Sequence, residues 1–470
     1  MKNKQRRSQT IMNTMSVVSL QTVWVVAMAC FFLGGAVPAV ADVLSLEAAV
    51  QAAQDNDPWL VENRHNQSAL EARSVAAGSL PDPTVSLGLT NLPVDTFDID
   101  QEPMTQINVG VSQIIPRGDS LKLKREQLQT ASREYPQQRR DRRARTVVTV
   151  SRLWLDAYKM QESIALIEND RPLFEQLIDV AEASYSSALG RTRQQDIVRA
   201  QLELTSLDDR LTKLSQMRET ILENLSGWVS GYFLDQYQMA TSSVSSPTGT
   251  DLQLPRKLPN ISMLNKPLST TDQQADPQAL YVYFADHPAV LTVEQKIKAS
   301  ELGIELARQS YKPAWKVNAG YGYRDDPPSG DRADFISLGL SFDLPVFTKN
   351  RQDKEVLAAV SQAEAVKTTK WSLVRKMIAG FEKNRVQLKR LQERQALYQV
   401  QLLPQMHEQA EASLTAYTND DGDFAEVVRA RIAELNARIE ALEIDVEIQK
   451  TIIELNYYFM ENPENIITGA

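Results

Sequence analysis

The feature that most constrains this 470-residue chain is an internal repeat. Several landmarks recur after 229 or 230 positions. Pro58 recurs as Pro288 and Pro83 as Pro313, each 230 positions later. Pro116 recurs as Pro345, and Ala181-Glu182-Ala183-Ser184 recurs as Ala410-Glu411-Ala412-Ser413, each 229 positions later. Chance would not preserve one offset for so many landmarks, so the sequence predicts one structural unit written twice. Each copy reads as a helix, two strands, a very long helix, a tight turn and a shorter returning helix.

Two alternating segments in the first copy, Thr84 to Asn91 and Thr105 to Ile115, predict β-strands that Pro83 and Pro116 delimit. Along each segment the apolar residues share one face, and Thr, Ser, Asn, Gln and Gly share the other. The second copy repeats this alternation. The residues predicted to lie on the apolar face and to contact lipid are Val85, Leu87, Leu89, Val109, Val111, Leu338 and Leu340.

The strands of the second copy, Trp315 to Tyr323 and Ile336 to Leu344, alternate more sharply than those of the first. Lys316 and Asp343 fall on their polar side and are expected to face water. A span of about ten residues with one apolar side matches a membrane β-barrel strand. An ordinary soluble sheet with one wet face has the same pattern, but four such strands without an accompanying β-rich core favour the membrane interpretation.

Heptad seams predict helices that pack side by side. One follows Gly190, and the other consists of Val428, Ile432, Leu435, Ile439, Leu442 and Val446. Kinks or breaks are expected at Pro136, Pro172 and Pro404. The predicted fold is therefore mainly α with a small β part, built from long antiparallel helices and four strands.

The N-terminus predicts export. A basic start, an apolar stretch from Val23 to Val37 and the small residues Ala39-Val40-Ala41 indicate a signal peptide over residues 1–41, although an uncleaved anchor helix is an alternative. Cys30 is the only cysteine, and it is either a lipid-attachment site or leaves with the signal peptide. The other predicted boundaries are a first repeat over 42–236, an irregular linker over 237–279, a second repeat over 280–460 and a tail over 461–470.

Several classes of function have no support in the sequence. The net charge of −9 argues against nucleic acid as a partner. The three histidines, His65, His287 and His407, do not have the spacing of a metal site, and no nucleophile motif or phosphate-binding loop occurs. We therefore predict no catalytic activity, no cofactor and no bound metal.

The sequence resembles the TolC-type outer-membrane factors, the exit ducts of tripartite efflux and type I secretion systems. The segments that carry the resemblance are SLPDPTVSLGLTNLP, QIIPRG, DLPVFTKN and the two turn regions ALGRTRQQDIVRAQLEL and AYTNDDGDFAEVVRARIAEL. The resemblance implies a homotrimer in the outer membrane of a Gram-negative bacterium. Four strands from each protomer would complete a twelve-stranded transmembrane β-barrel, and the helices would form a periplasmic α-barrel. The implied partners are outer-membrane lipid, a periplasmic adaptor protein and an inner-membrane pump of the resistance-nodulation-division or ABC type, with drugs or heavy metals as cargo.

The same resemblance implies a periplasmic entrance, or gate, at the second helix turn, with Tyr417 matching a family tyrosine and Glu426 a family acidic residue. The chain departs from the family pattern at Asp420, where a glycine is expected, and at Arg429, which replaces a second acidic residue. Asp421 and Asp423 add acidity that threefold symmetry would multiply, which predicts a cation-selective entrance. Helix capping by Asp423 and Glu426 is an equally good interpretation. The first turn, at Gly190, Arg191 and Arg193, is implied to contact the adaptor.

A second function from a different class remains open at this point. The heptad seams also fit a periplasmic coiled-coil adaptor or scaffold without a pore of its own. That interpretation explains the helices but gives no reason for four amphipathic strands.

Overall fold

The computed structural model describes residues 43–186, 193–230, 252–270, 276–326, 330–419 and 422–459. The signal peptide, the tail, Gly190, Arg191, Asp420 and Asp421 lie outside these residues. Everything below concerns the compact unit that begins at Leu44. Its helices are α1 (Leu46–Asp55), α2 (Pro58–Ala77), α3 (Ser120–Ser132), α4 (Glu134–Ser186), α5 (Gln194–Val229), α6 (Lys266–Thr270), α7 (Pro277–Ala285), α8 (Pro288–Arg308), α9 (Gln352–Leu397), α10 (Leu403–Thr418) and α11 (Phe424–Asn456).

Equivalent helices of the two copies begin with the same device. At the start of α2, the Asp57 carboxylate accepts a hydrogen bond from the backbone N–H of Trp59 at 3.1 Å. At the start of α8, His287 Nδ1 accepts one from the N–H of Ala289 at 3.2 Å. A proline follows each cap, where its missing N–H costs nothing and its fixed φ suits a helix. Cap and proline together define where both helices start, 230 residues apart.

The four strands form one antiparallel sheet in the order β1-β2-β3-β4, where β1 is Thr84–Thr90, β2 is Gln106–Ile115, β3 is Trp315–Tyr323 and β4 is Phe335–Phe342. Each copy supplies one hairpin, and the pairing of β2 with β3 joins the two copies. The predicted strands are confirmed with small changes of bounds: β1 and β2 are each one residue shorter, and β4 begins one residue earlier and ends two residues earlier. Asn91 and Thr105 leave the ladder because Asn91 takes a positive φ of 57° and its carbonyl accepts from the Thr105 hydroxyl at 2.7 Å. Leu344 follows β4 rather than belonging to it.

The long helices lie side by side, as the heptad seams predict. Helix α4, with 53 residues, spans about 80 Å at 1.5 Å per residue. It packs along α5 and α11, while α10 packs on α11 and α9 packs on both α8 and α11. The prediction of a mainly α fold with a small antiparallel sheet is confirmed.

The three prolines have three different outcomes. Near Pro136 the helix is interrupted, because α3 ends at Ser132 and α4 starts at Glu134. Before Pro404 the chain makes a π-helical turn over Tyr398–Leu402, which accommodates the carbonyl that proline cannot pair. At Pro172 the expectation of a break is wrong, because α4 continues through it to Ser186.

The main core includes part of the segment predicted to be an irregular linker. Leu254 and Ile261 are buried against a cluster that includes Trp154, Phe284 and Phe381. The N–H of Ile261 donates to Gln449 Oε1 at 2.9 Å, which fixes this segment against α11. Residues 252–265 lack regular helices, as predicted, but they pack as part of the folded unit, and α6 and the start of α7 also lie within the predicted linker.

Candidate functional site

One face of the sheet is apolar from edge to edge. The register places Leu87 opposite Val109, Val109 opposite Tyr321 and Tyr321 opposite Ile336, so the apolar side chains of all four strands lie in common rows. Apart from Gln113, every residue on this face is aliphatic or aromatic. It includes all seven residues predicted to contact lipid.

These side chains are exposed to an extent unusual for apolar residues. Leu87 is 79% exposed and Leu338 is 82% exposed. Single exposed apolar residues are common on soluble proteins, but contiguous apolar patches of this kind mark sites of contact with a membrane or with another protein. Aromatic residues lie towards both ends of the sheet. At one end the ring centroids of Trp315 and Phe342 are 4.6 Å apart, and Tyr321 and Tyr323 lie towards the other end. Aromatic girdles in these positions are typical of membrane β-barrels.

The opposite face of the sheet is polar and has small side chains. It consists of Thr84, Ser86, Gly88 and Thr90 of β1, Gln106, Asn108, Gly110, Ser112 and Ile114 of β2, Lys316, Asn318, Gly320 and Gly322 of β3, and Phe335, Ser337, Gly339 and Ser341 of β4. Five of these are glycines, and at three of them, Gly88, Gly320 and Gly339, an added Cβ would meet no atom closer than 3.6 Å. Lys316 is the one charged residue on this face of the described strands, as expected from its position in the alternation.

Beyond the end of β4, Asp343 joins the bases of the two hairpins. It pairs with Arg117, which follows β2, and accepts from the N–H of Ala314 at 2.6 Å. The Arg117 guanidinium also donates to the Lys312 carbonyl at 2.8 Å. Asp343 therefore fastens the sheet where it meets the helices, rather than belonging to the polar face of a strand.

At the second helix turn, an aromatic pair covers a small core. The rings of Tyr417, on the last turn of α10, and Phe424, on the first turn of α11, meet edge to face at 5.5 Å. Phe424 is 2% exposed. Leu177 of α4 and Ala200 of α5 belong to the same cluster, so residues beside both helix turns pack on shared apolar side chains.

The acidic residues of this turn that the structure describes are already engaged. Asp423 caps α11 by accepting from the N–H of Ala425 at 3.1 Å. Glu426 pairs with Arg429 at 2.8 Å, and Arg429 Nε also donates to the Ala425 carbonyl at 3.1 Å. Of the two interpretations left open by the sequence, capping therefore has direct support for Asp423, and Arg429 offsets the charge of Glu426.

The helix that follows the first turn begins at a capped position. The N–H of Arg193 donates to Asp196 Oδ2 at 2.9 Å, so Arg193 stands at the N-cap of α5. The side chain that satisfies the helix start is Asp196, which is 8% exposed. An acidic residue three positions into a helix is the signal that could have identified it.

Gly422 is a structural requirement of the second turn that the sequence reading missed. A Cβ atom at this position would lie 2.6 Å from the backbone nitrogen of Tyr417 and 2.9 Å from the carbonyl carbon of Ala416. Both are backbone atoms, which cannot rotate away. The signal in the sequence was a glycine between acidic residues directly before a helix cap, two positions after the one where the family pattern led us to expect it.

Below this turn, a charged network joins α10, α11 and α4. Glu434 accepts from Arg431 at 3.0 Å and lies 2.7 Å from His407 Nδ1, and Arg431 also contacts Glu411 at 2.5 Å. One helical turn further along α11, Arg438 pairs with Asp170 of α4. Burial tends to raise the pKa of the Glu434 carboxyl, but hydrogen bonds from His407 and Arg431 outweigh it and hold that pKa below its ordinary value.

Two further types of site were sought in the described ranges. None of the helices there is long and apolar enough to cross a membrane. In the same ranges, no three His, Cys, Asp or Glu side chains converge in a way that could hold a metal ion.

Comparison with known proteins gives a consistent answer at the level of structure. No protein-family model matches the sequence, and no relative was found among curated proteins. Among solved structures, the outer-membrane channel OprN is similar with a TM-score of 0.68 and 14% identity over 89% of this chain and 90% of that one. The Campylobacter jejuni CmeC outer-membrane channel has a TM-score of 0.67 and 11% identity over 88% of this chain and 85% of that one. For CusC, the TM-score is 0.66 and the identity is 13% over 88% of this chain and 91% of that one.

The chain has the fold of the TolC-type outer-membrane channels. Within this fold, the seven predicted lipid-facing residues lie together on the sheet. Tyr417, Asp423, Glu426 and Arg429 lie together at the second turn, and Arg193 stands at the first. The structure brings together the sheet residues and the four residues of the second turn, while the roles of all these residues in lipid contact, gating and adaptor binding stay predictions.

A first testable prediction concerns the second turn of this TolC-type fold. Gly422→Ala is expected to destabilise the turn by roughly 1 to 3 kcal/mol, because the added methyl group overlaps backbone that cannot relax by rotamer change. Limited proteolysis would show faster cleavage at the turn. Gly227→Ala is the matched control, because a Cβ there meets nothing within 4 Å and alanine favours the interior of helix α5. Equal protease resistance of the two variants would contradict the close-contact argument.

Proposed function

We propose that this protein is a homotrimeric outer-membrane channel that serves as the exit duct of a tripartite efflux or type I secretion system. It is a passive conduit, and the energy comes from an inner-membrane pump of the resistance-nodulation-division or ABC type. A periplasmic adaptor protein joins the two. The single observation that carries this proposal is the four-stranded sheet with one exposed apolar face and one polar, glycine-rich face.

A sheet of this kind cannot stand alone in a membrane. Strands β1 and β4 each have one edge without a partner among the described residues, and an unpaired edge in a bilayer leaves backbone groups without hydrogen bonds. Closure of the sheet with further copies satisfies those groups. Three copies supply twelve strands, the apolar face then meets lipid, and the polar face lines a pore.

The helices support the same proposal from the other direction. The chain is two repeats, over 42–236 and 280–460, and each carries one strand hairpin above long helices. Helices of about 80 Å, packed side by side, can form a tube that reaches from the outer membrane into the periplasm. The solved structures that share this fold are named as outer-membrane channels.

The test is assembly and conductance of the full chain. Outer membranes from cells that express it should yield a trimer that resists dissociation in detergent, and the purified trimer should give single-channel currents in planar bilayers. A periplasmic scaffold would give a soluble or peripheral protein and no currents. A deletion strain exposed to copper, silver, zinc, cobalt, bile salts and dyes would then show whether metals or drugs are the cargo.

We also propose that the second turn forms the periplasmic entrance, with the first turn, at Gly190, Arg191 and Arg193, contacting the adaptor. At the entrance, the acidity is assigned to Asp420 and Asp421, which lie outside the described residues, since Asp423 caps α11 and Glu426 is paired with Arg429. Carboxylates crowded around a threefold axis attract cations and exclude anions.

A second prediction tests that entrance. Replacing Asp420 and Asp421 together by Asn keeps their volume and removes their charge. The variant trimer is expected to assemble normally, to lose cation selectivity and to resist block by trivalent cations added from the periplasmic side. Asp95→Asn, in the loop between β1 and β2, is a control that removes an acidic charge far along the chain from the turn. Unchanged selectivity and block would assign the acidic turn to helix capping alone.

A further inference from the structure

The polar face of the sheet has one feature that the proposed function leaves unexplained. Across the described strands its residues are neutral except Lys316, the second residue of β3. In the ladder, Lys316 stands opposite Ile114 of β2 and Ser341 of β4. Neither neighbour carries a charge, and the Lys316 side chain is exposed.

The charges around the base of the sheet are paired, but Lys316 is not among them. Lys312 lies 3.0 Å from Asp119, and Arg117 pairs with Asp343. In the part of the chain that the structure describes, no carboxylate lies within ion-pair distance of Lys316. Its ammonium charge is therefore uncompensated on a surface that is otherwise polar and uncharged.

We propose that Lys316 makes the barrel section of the channel attract anions. This inference rests on the proposed function, because closure of three copies around one axis places three Lys316 side chains at one height on the lumen wall. Rings of lysine or arginine select anions in other pores. The ligands suited to such a ring are small phosphates, carboxylates and anionic cargo molecules that pass the barrel.

The position of Lys316 suits this role physically. Its nearest neighbours on the lumen face are Asn318 on the same strand and Ile114 and Ser341 across the ladder, so no opposite charge lies between it and the pore water. Low-dielectric protein and lipid behind the sheet strengthen the field on the open side. The proposed acidic entrance has the opposite sign and lies at the helix turn, so the barrel ring is a second filter with its own preference.

Reversal potentials across a salt gradient provide the test, with the full-length trimer in planar bilayers at about 0.1 M potassium chloride. Lys316→Gln is expected to shift the permeability ratio towards cations by about threefold to tenfold, because three nearby charges act together at low salt. Lys316→Glu should shift it further. Lys316→Arg keeps the charge and should retain the parent ratio.

Two controls make the result specific to charge. Asn318→Ser changes a neighbouring side chain on the same strand and face without a change of charge, and its ratio should match that of the parent. The shift caused by Lys316→Gln should also shrink at about 1 M salt, where the screening length falls to about 3 Å. Citrate, a trivalent anion, should block the parent from the external side and should block the Gln variant less.

The outcomes separate the two proposals. If the parent and Lys316→Gln both conduct normally with the same permeability ratio and the same citrate block, the anion ring is refuted while the channel stands. If the parent gives no conductance at all, the proposed function fails and this inference fails with it.

Discussion

Leu338→Arg is expected to prevent most of the protein from reaching a stable membrane-inserted trimer. Leu338 lies in the middle of β4, opposite Ala319, and it is 82% exposed on the apolar face. In the proposed barrel an arginine at this height costs roughly 2 to 4 kcal/mol per protomer. The measurement is the fraction of heat-resistant trimer recovered from outer membranes, together with the urea midpoint after refolding into lipid vesicles.

The matched control for this experiment is the adjacent residue on the same strand. Ser337 faces the opposite side of the sheet, opposite Gly320, where an added guanidinium can remain in water. Ser337→Arg should therefore assemble at close to the parent yield. Comparable losses from the two substitutions would contradict the assignment of the apolar face to lipid, because the added arginine would then be equally harmful on both faces.

Glu434→Ala is expected to be the most damaging substitution among the helix contacts. Arg431 and Glu434 are both largely buried, with side chains 9% and 11% exposed, and they face each other at 3.0 Å. Removing the carboxylate leaves the buried guanidinium with the half-exposed Glu411 as its remaining carboxylate partner, so we expect a cost at the lower end of the about 3 to 5 kcal/mol of a broken buried pair. The apparent midpoint of thermal or chemical unfolding in detergent would report the loss.

The control removes the other carboxylate that contacts Arg431. Glu411 is half exposed, so Glu411→Ala should cost less than about 1 kcal/mol and leaves the buried pair in place. The pH dependence adds a second criterion. The folded-state pKa of Glu434 is held below its ordinary value, so the stability that it contributes is present at neutral pH and is lost as pH falls through that lowered pKa.

Glu434→Gln should reduce the loss of stability that accompanies the fall in pH. If Glu434→Ala and Glu411→Ala cost the same, or if Glu434→Gln leaves the loss of stability at acid pH unchanged, the buried Arg431–Glu434 pair of α11 does not contribute the stability assigned to it. Such a result would move attention to Arg438 and Asp170, which join α11 to α4.

The sequence predicted the parts of this molecule that local pattern controls. Strand alternation gave the two faces of the sheet, because side chains on neighbouring residues point to opposite sides and the register keeps equivalent rows together. The repeat in the prolines marked equivalent positions of the two copies, and at one such pair Asp57 and His287 cap equivalent helices directly before the proline.

Features that depend on distant contacts were beyond the sequence. The continuity of α4 through Pro172 depends on packing against α5 and α11, which outweighs one missing hydrogen bond. The burial of Leu254 and Ile261 could not be inferred from a segment rich in Ser, Thr and Pro, because each contacts residues far away in the chain. At the second turn, the sequence shows a glycine before the helix cap, but the need for Gly422 follows from its close approach to the backbone of Ala416 and Tyr417, which only the structure reveals.

Strands β1 and β4 each have one edge without a partner among the described residues, and these edges make a newly made chain prone to aggregation. A lone copy presents the free edges of β1 and β4 beside a bare apolar face, and such edges pair readily with any extended polypeptide. In the proposed trimer, ring closure removes both edges at once, so folding of the sheet and association of the three copies would be one event in thermodynamic terms. The stability of the membrane part then depends on protein concentration, and a cell that makes too little of this chain would accumulate aggregation-prone monomers instead of proportionally fewer channels.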